Sequence, residues 1–297
     1  EPAIEAMIDS LLMDATGATA KECSAVQGAI ALDLYRRGCQ HVEGGTARLA
    51  MLLVRSVRRD GGRVDFGLGV ERLHRDGKGW IAELSDGTNV FARTVVANVP
   101  PAALEMLLGQ RPQLPAPGTA WGAFVLHVGI EATGLLPIRP YHQVIGPDST
   151  HGSSFVSVFP SAKVHRQQWS VSVSRHVDPN IWKSNSNAYE ATRRNLEQEM
   201  LTDVEKVIPD VRARVLLLRS ATPRTFERYT SRPGGFVGGI VQRRSVVALR
   251  APGHRPRRGL YLAGDHVFPG QGTVGTALSG INAYRDAAEH LGKRAIL

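Results

Sequence analysis

The residues with the clearest chemical potential lie near the C-terminus, in a glycine-rich loop between a predicted strand and a predicted helix. The apolar strand pattern at 259–264 ends at Asp265, and Gly270, Gly272 and Gly275 follow with the spacing G-x-G-x-x-G. Glycines at the start of a helix let a ligand approach the backbone, whose free N–H groups attract negative charge. The loop therefore suits a phosphate or an electron-rich ring edge, and a plain glycine turn is the alternative.

The same spacing satisfies the dinucleotide-binding fingerprint, but its context excludes a Rossmann NAD site. In that fingerprint the first glycine follows the strand directly, and an acidic residue comes about 20 positions later in a second strand. Here residues 265–269 separate the strand from the first glycine, and only 22 residues follow Gly275. A helix and a second strand with the acidic residue do not fit into that length.

Other catalytic chemistries find little support. The ten histidines show no H-x-x-x-H spacing, and two cysteines, Cys23 and Cys39, are too few for a zinc cluster or a disulfide scaffold. We therefore predict no metal. A G-x-S-x-G elbow is absent, which argues against a serine hydrolase. His266 is the obvious candidate for a base, but we do not assign it that role.

Composition limits the range of partners. The chain of 297 residues carries a net charge of +9, yet aromatic residues make up only 6%, and the densest basic cluster, at 250–258, contains no aromatic residue. Nucleic-acid sites usually interleave basic and stacking side chains, so we predict no nucleic-acid partner. A weak contact with an anionic membrane surface fits better. No signal peptide is visible, which predicts a cytoplasmic location with possible membrane association.

The elements that must position the loop fall into two groups. Residues 1–100 mix helices with short strands: a helical stretch at 4–35 with breaks at Gly17 and Gly28, a helix from Thr46 to about 60, and strands at 64–66, 70–73, 80–84, 90–92 and 94–99. Residues 101–230 predict an antiparallel sheet with a helix against it: strands at 123–130, 154–159, 169–174 and 211–218, and a helix at 187–207.

Several motifs together resemble a known family. The run at 259–273, continuing to 277–280, resembles the C-terminal flavin motif of phytoene desaturases and carotenoid isomerases in the amine-oxidase-like superfamily. Upstream segments resemble other parts of these proteins in the same order: Gly44-Gly45 before a helix, the strand at 70–73, the strand at 94–98, and Thr222-Pro223, Phe226-Glu227 and Tyr229 followed by Gly234-Gly235.

The resemblance implies a fold of the α/β class with α+β character. It would be the remainder of a glutathione-reductase-like FAD-binding domain with an inserted antiparallel-sheet substrate domain. The implied segments are 1–37 as a helical lid or substrate region, 38–100 and 231–297 as parts of the FAD-binding domain, and 101–230 as the substrate-binding domain. Nothing before Gly38 matches the family's N-terminal ADP-binding unit, so we expect a second chain or segment to supply it. The start without Met favours a processed or truncated chain over an independently translated subunit.

The resemblance also implies roles for individual residues. Asp265 would bind the ribityl or pyrophosphate region of FAD, and Gly264 would let the backbone approach it. Backbone N–H groups of the α-helix start would lie beside the isoalloxazine ring, at Gly272, Thr273 and Val274. The remaining implied FAD contacts are a backbone contact of Val70 with the adenine and close packing of Gly44 and Gly45 by the pyrophosphate.

The implied function is FAD-dependent redox chemistry on an apolar, carotenoid-like polyene, either desaturation or flavin-assisted isomerisation. The sheet of the middle segment would then floor a long apolar tunnel. One alternative is an amine-oxidase-like flavoenzyme with a polar substrate, for which an aromatic cage is expected in place of the tunnel. The other alternative is a non-catalytic binding subunit that has lost its cofactor. The resemblance leaves the catalytic residues unknown.

Overall fold

The computed structural model describes residues 2–38, 40–115, 119–146, 152–160, 167–183, 186–243 and 254–296. Its helices are α1 (Pro2–Thr16), α2 (Ala25–Arg37), α3 (Thr46–Arg59), α4 (Pro101–Leu107), α5 (Ser186–Glu205), α6 (Val211–Arg214), α7 (Pro223–Thr230) and α8 (Thr273–His290). Its strands are β1 (Val70–Asp76), β2 (Gly79–Leu84), β3 (Asn89–Ala92), β4 (Val95–Ala97), β5 (Trp121–Glu131), β6 (Tyr141–Val144), β7 (Ser154–Pro160), β8 (Gln168–Val177), β9 (Val215–Ala221), β10 (Phe236–Val237) and β11 (Leu260–Leu262).

The largest core lies between a six-stranded antiparallel sheet and helix α5. The strands follow the order β10-β5-β8-β7-β6, and β9 also pairs with β5. Alternate residues of β5 and β8 are buried, because successive side chains of a strand point to opposite faces. One face packs Phe124, Val156 and Val173 against Met200 and Val204 of α5. The predicted antiparallel sheet with a helix against it is confirmed.

A second core joins a three-stranded antiparallel meander to a short parallel pair. The meander is β1-β2-β3, and the parallel pair is β4 with β11. Leu73 and Trp80 of the meander pack with Leu260 and Leu262 of β11 and with Leu104 of α4. This core brings the last part of the chain back against residues 70–107 and so fixes where the glycine-rich loop begins.

The outer edge of β4 has no strand partner among the described residues. Val95 donates its N–H to Gly259, and Ala97 accepts from Ala263. Backbone groups alternate sides along a parallel strand, so the N–H and C=O of Val96 point away from β11. The side chain of Val96 is half exposed.

Helix α1 contacts the sheet and the C-terminal part of the chain, and α2 packs against α1. Trp121 of β5 donates to the carbonyl of Gly17, and Gln242 donates its backbone N–H to Thr16. Gly17 has φ +69°, a conformation that favours glycine, and it ends α1 as predicted. Gly28 was expected to break the helix, but α2 runs through it. A Cβ there would lie 3.7 Å from Cys23 Sγ and from Leu12 Cδ2, at ordinary contact distance.

Three further details differ from the sequence prediction. Residues 64–66 form no strand, since Gly67 turns the chain before β1 begins. The predicted strand at 211–218 starts with the single helical turn α6, preceded by Asp210 in the left-handed region, and only then becomes β9. The sheet also includes β10, which follows the predicted boundary at residue 230. Cys39 and the segment 244–253 lie outside the described residues.

No helix in the described ranges combines the length and the apolar character needed to cross a lipid bilayer.

Candidate functional site

The candidate site forms where the two parallel strands end. Asn98 follows β4 and Gly264 follows β11, and parallel strands release their carboxyl ends at the same edge of a sheet. Gly264 has φ +123°, and its N–H donates to Ser279 Oγ at 2.8 Å. A Cβ on Gly264 would lie 2.9 Å from Asn98 Oδ1. The positive φ therefore favours glycine here, and a side chain would also displace the carboxamide of Asn98.

The N-terminus of helix α8 lies open beside this strand end. Gly272 is the N-cap residue, with φ +88°, and no side chain caps the helix. A Cβ on Gly272 would meet nothing within 4 Å, and Val274 is 73% exposed. The first N–H groups of the helix, at Thr273 and Val274, have no acceptor within the helix, and the space beside the N-cap residue is open, as an anion or an electron-rich oxygen requires.

Asp265 is held by an arginine from a distant part of the chain. Arg232 forms a two-pronged ion pair with it: Nη1 lies 3.0 Å from Oδ2, and Nη2 lies 3.1 Å from Oδ1. The same Nη1 donates to His266 Nε2 at 3.1 Å. The exposed fractions of the side chains are 22% for Arg232 and 17% for Asp265. The carboxylate predicted to bind a cofactor thus already has a fixed orientation.

His266 is neutral in this arrangement. Burial lowers its pKa, and the positive charge of Arg232 lowers it further, while Asp265 acts in the opposite direction. Because Arg232 donates to Nε2, that nitrogen is the acceptor and the proton is on Nδ1. A histidine whose acceptor nitrogen is occupied by a guanidinium is a poor general base, which agrees with leaving the catalytic residues unassigned.

A groove of about 670 Å³ runs from this edge toward the meander. Val70 lines it together with Asn98, the residue that contacts Gly264. Most of the other lining residues are apolar, among them Leu73, Val96 and Met106. The structure thus brings Val70 to the same groove as the strand end at Gly264.

Gly44 and Gly45 are placed apart from this group. Gly45 caps helix α3 with φ +84°, and a Cβ on it would meet nothing within 4 Å. A Cβ on Gly44 would meet only Arg48 of the same helix. No residue of α3 is buried. We call the strand ends at Asn98 and Gly264, with Arg232, Asp265, His266 and the start of α8, the Asp265 corner. The described residues show no contact between Gly44-Gly45 and this corner.

The second face of the large sheet, opposite α5, is more polar than an aliphatic tunnel floor. His127 bonds to Ser172 at 3.0 Å, and Gln143 donates to Ser10 of α1 at 2.6 Å. Beside them lies an aromatic cluster, in which Tyr141 contacts Phe155 and Phe159 with ring centroids 5.8 and 5.5 Å away. Hydroxyls, imidazoles and aromatic rings therefore alternate with small side chains on this face.

Part of the basic cluster at 250–258 is neutralised within the chain. Asp286 of α8 pairs with both His254 and Arg255. The side chains of His254 and Arg255 are thus less available to an anionic surface than the sequence suggests. Within the described ranges, no three His, Cys, Asp or Glu side chains gather as they would around a metal ion.

Comparison with known proteins gives relatives by sequence. No protein-family model matches the chain. It is 26% identical to prolycopene isomerase 1 of an Oncidium hybrid cultivar over 287 residues, which cover 88% of this chain and 48% of that protein. Prolycopene isomerase of Daucus carota is 23% identical over 314 residues, covering 98% and 51%, and that of Arabidopsis thaliana is 24% identical over 317 residues, covering 97% and 52%.

The predicted resemblance to carotenoid isomerases is confirmed. The chain spans about half the length of the curated relatives that it matches.

Solved structures show a related fold. An oxidoreductase from Methanosarcina mazei superposes with a TM-score of 0.63 at 17% identity, covering 94% of this chain and 64% of that one. A putrescine oxidase double mutant with redesigned cofactor binding gives 0.61 at 14% identity, covering 96% and 64%. The relatives by sequence and by fold are enzymes, namely isomerases and oxidoreductases. The mixed α/β fold with antiparallel sheets is shared with them.

Sequence reasoning missed three residues of the corner. Arg232 precedes the Gly234-Gly235 pair of the family resemblance. Asn98 ends the strand motif at 94–98, and Ser279 lies in the segment 277–280. Asn98 and Ser279 lie inside these motifs, and Arg232 lies two residues before the glycine pair, but the motifs alone assign them no role because their partners lie far away in the sequence. An arginine two residues before a glycine pair was the one signal in the sequence that could have drawn attention to Arg232.

Proposed function

We propose that the protein is an FAD-dependent oxidoreductase that acts on an apolar, carotenoid-like polyene by desaturation or by flavin-assisted isomerisation. In this proposal the remaining ADP-binding part of the FAD site comes from another segment or another chain. The similarity to prolycopene isomerases supports the substrate class. The observation that carries the cofactor proposal is the open α8 N-terminus beside the Gly264-Asp265 strand end.

The donor set at this corner fits a flavin. Backbone N–H groups at Thr273 and Val274 would hold an electron-rich ring oxygen, which gains negative charge on reduction. Asp265 would accept hydrogen bonds from ribityl hydroxyls, and Gly264 would allow the close approach. Val70 would contact the adenine from the groove. The open space at Gly272 is a cradle that any side chain there would fill.

When bound, FAD supplies hydride acceptance from an allylic carbon or, in its reduced form, assistance to cis–trans isomerisation. The chain's own task is then to bind and orient. The helix start stabilises negative charge at the ring, Ser279 fixes the Gly264 amide, and the apolar groove excludes water. No acid–base pair is required, which is consistent with a neutral, engaged His266.

The test is to purify the protein with its native partners and measure flavin absorbance and the mass of the complex. We expect bound FAD and a polypeptide segment with the missing ADP-binding unit. Asp265→Ala should weaken FAD binding by roughly tenfold or more, as expected when a hydrogen bond to a charged group is lost. A colourless complex, with Asp265→Ala indistinguishable from the native protein, would mean a non-catalytic binding subunit.

Product analysis separates the two polyene reactions. Incubation of the flavin-loaded protein with a poly-cis polyene should give either an isomer of unchanged mass or a product that has lost two hydrogens. Isomerisation is expected to need reduced flavin without net consumption, whereas desaturation needs an electron acceptor. Absence of both products with flavin bound would contradict the polyene substrate but leave the cofactor proposal intact.

A second candidate function is oxidation of a polar amine. The polar and aromatic second face of the sheet favours it, since Tyr141, Phe155 and Phe159 could form part of an aromatic cage. The similarity of fold to a putrescine oxidase is compatible with either substrate. Hydrogen peroxide release on addition of a panel of di- and polyamines, with no turnover of polyenes, would favour this candidate.

A further inference from the structure

Three segments meet at the Asp265 corner, and one of them contributes a charge whose purpose the proposed function does not explain. Residues 232–239, which lead from helix α7 back toward strand β11, pack tightly against Pro223 and Asp265. A Cβ on Gly235 would lie 2.2 Å from the carbonyl oxygen of Pro223, and one on Gly239 would lie 2.3 Å from that of Asp265. Gly235 also donates its N–H to the carbonyl of Arg232 at 2.8 Å. These contacts fix the backbone around Arg232 without involving its side chain.

The side chain of Arg232 contacts two residues that follow strand β11, Asp265 and His266. Its guanidinium donates to both oxygens of Asp265, and Nη1 also reaches His266. Two parallel N–H···O bonds to one carboxylate fix its plane as well as its distance, which a lysine cannot do.

Electrostatics gives this contact a second consequence. The α8 N-terminus and the glycine loop suit a ligand that is anionic or becomes so, but an isolated carboxylate 17% exposed at the same corner would repel it. The charge of Arg232 cancels that of Asp265, and His266 is neutral. The corner as a whole therefore carries no net charge opposed to the ligand.

We propose that Arg232 is a positioning residue of the flavin site: it orients the carboxylate of Asp265 and cancels its charge, so that the corner accepts an anionic cofactor. This inference rests on the proposed function. It does not require Arg232 to touch the cofactor.

The test compares Arg232→Met with Arg232→Lys and with Arg228→Met in the native, flavin-competent complex. FAD is titrated into the deflavinated complex, and the wild-type titration reports on the proposed function itself. Arg232→Met should raise the FAD dissociation constant about tenfold or more. Arg232→Lys should lie between it and the wild type, because lysine restores the charge but not the two-pronged geometry. Arg228 stacks on Tyr229 in helix α7 and is the matched control, so Arg228→Met should leave FAD binding unchanged.

A double variant distinguishes charge cancellation from a purely structural tie. In Arg232→Met the charge of Asp265 is left unbalanced, and in Arg232→Met/Asp265→Asn both charges are gone. The double variant should therefore bind FAD more tightly than Arg232→Met alone. Additive losses, or FAD binding by Arg232→Met equal to that of the wild type, would overturn the proposal while the wild-type titration still supports the flavin site.

A second readout needs no flavin. NMR titration of the His266 imidazole should show a higher pKa in Arg232→Met than in the wild type, because the opposing charge of Asp265 then acts alone. An unchanged His266 titration in a variant with native circular dichroism would show that the contact does not exist in solution, and would equally overturn the proposal. If Arg232→Met fails to fold, Arg232→Lys carries both measurements.

Discussion

The molecule contains two Arg–Asp pairs that look alike and do different things. Behind the large sheet, Arg175 of β8 bonds to Asp203 of α5 at 2.8 Å and to Glu199 at 2.7 Å, with Ser154 completing the cluster. The side chains of Arg175 and Asp203 are both buried, at 8% and 9% exposure. The Arg232–Asp265 pair has similar distances but about twice the exposure, and it borders the open start of helix α8.

The difference teaches that surroundings, not distances, separate a structural pair from a site. At Arg175 every neighbour belongs to the sheet or to α5, so the pair fastens two elements around a finished core. At Arg232 the paired carboxylate follows strand β11, in the loop that leads to the N-cap of α8, where a Cβ on Gly272 would meet nothing within 4 Å. Removing one partner should therefore cost mainly stability in the first pair and mainly ligand affinity in the second.

The largest expected effect is on the structural pair. Arg175→Met leaves Asp203 buried without its guanidinium, with Lys206 and Ser154 as its remaining partners, and should lower the free energy of unfolding by about 3 kcal/mol, the lower end of the range for a broken buried pair. Chemical denaturation measures this loss. Arg194→Met, on the exposed side of the same sheet-facing helix α5, is the control and should change stability by no more than about 0.5 kcal/mol. Equal losses in the two variants would remove the distinction drawn here.

A carboxyl without an arginine sharpens the comparison in the opposite direction. Burial raises the pKa of Asp14 to about 6, and its Oδ2 has no hydrogen-bond partner among the described residues. Because the folded-state pKa exceeds the unfolded value, the unfolded chain ionises first, and the contribution of Asp14 to stability falls as the pH rises from about 4 to about 6. Burial lowers the pKa of the neighbouring His176 to about 4, and its contribution changes in the opposite direction, so only the difference between the wild type and an Asp14 variant isolates Asp14.

Asp14→Asn removes that cost. Above pH 6 the variant should be more stable than the wild type by up to about 3 kcal/mol, the free energy of such a pKa difference. The advantage should vanish below pH 4, where Asp14 is protonated in both states. Denaturant midpoints measured from pH 4 to pH 8 provide the check, and an advantage independent of pH would contradict the role of ionisation.

Removal of the other carboxylate should have a smaller effect on folding. In Asp265→Ala, Arg232 is left near the surface, where water can solvate it, so unfolding should become easier by only about 1 kcal/mol. The larger change is the loss of FAD affinity described above. Thermal unfolding without FAD isolates the first effect, and a stability loss as large as that of Arg175→Met would make Asp265 a structural residue.

The last expected effect, as small as that of Asp265→Ala on folding, concerns Ser279, which holds the Gly264 amide. Ser279→Ala removes the hydrogen bond that the hydroxyl accepts from Gly264 and the one that it donates to the carbonyl of Thr276, and should cost about 1 kcal/mol of stability. Ser279→Thr preserves the hydroxyl and is the conservative comparison. Amide exchange at Gly264, followed by NMR, should speed up in the alanine variant, and unchanged exchange there would show that another acceptor compensates.

Much of the fold could be predicted from local patterns. The alternation of apolar residues in β5 and β8, and the long amphipathic helix α5, are periodic signals carried by one segment each. The loop at 265–275 and its helix could be placed for the same reason. The missed helix α7 begins with Thr222 and Pro223, a capping pattern that was noted only as part of a motif.

The rest depends on contacts that no short window contains. Arg232 meets Asp265 across 33 positions, and the Asn98–Gly264 contact exists only because β4 and β11 run in parallel. The resemblance also implied an apolar tunnel floor, whereas the second sheet face carries His127 and Ser172. Strand alternation tells which residues share a face, but it does not tell which face meets the core and which meets a ligand.

The unpaired side of β4 has a consequence that can be followed in time. The amide hydrogen of Val95 is held by Gly259, whereas that of its neighbour Val96 points away from β11. In deuterated solvent, Val96 should exchange its amide hydrogen much faster than Val95, although the two are adjacent in one short strand. When a further strand joins this edge, Val96 should slow to the rate of its neighbour, so a single amide would report the moment at which the parallel sheet is extended.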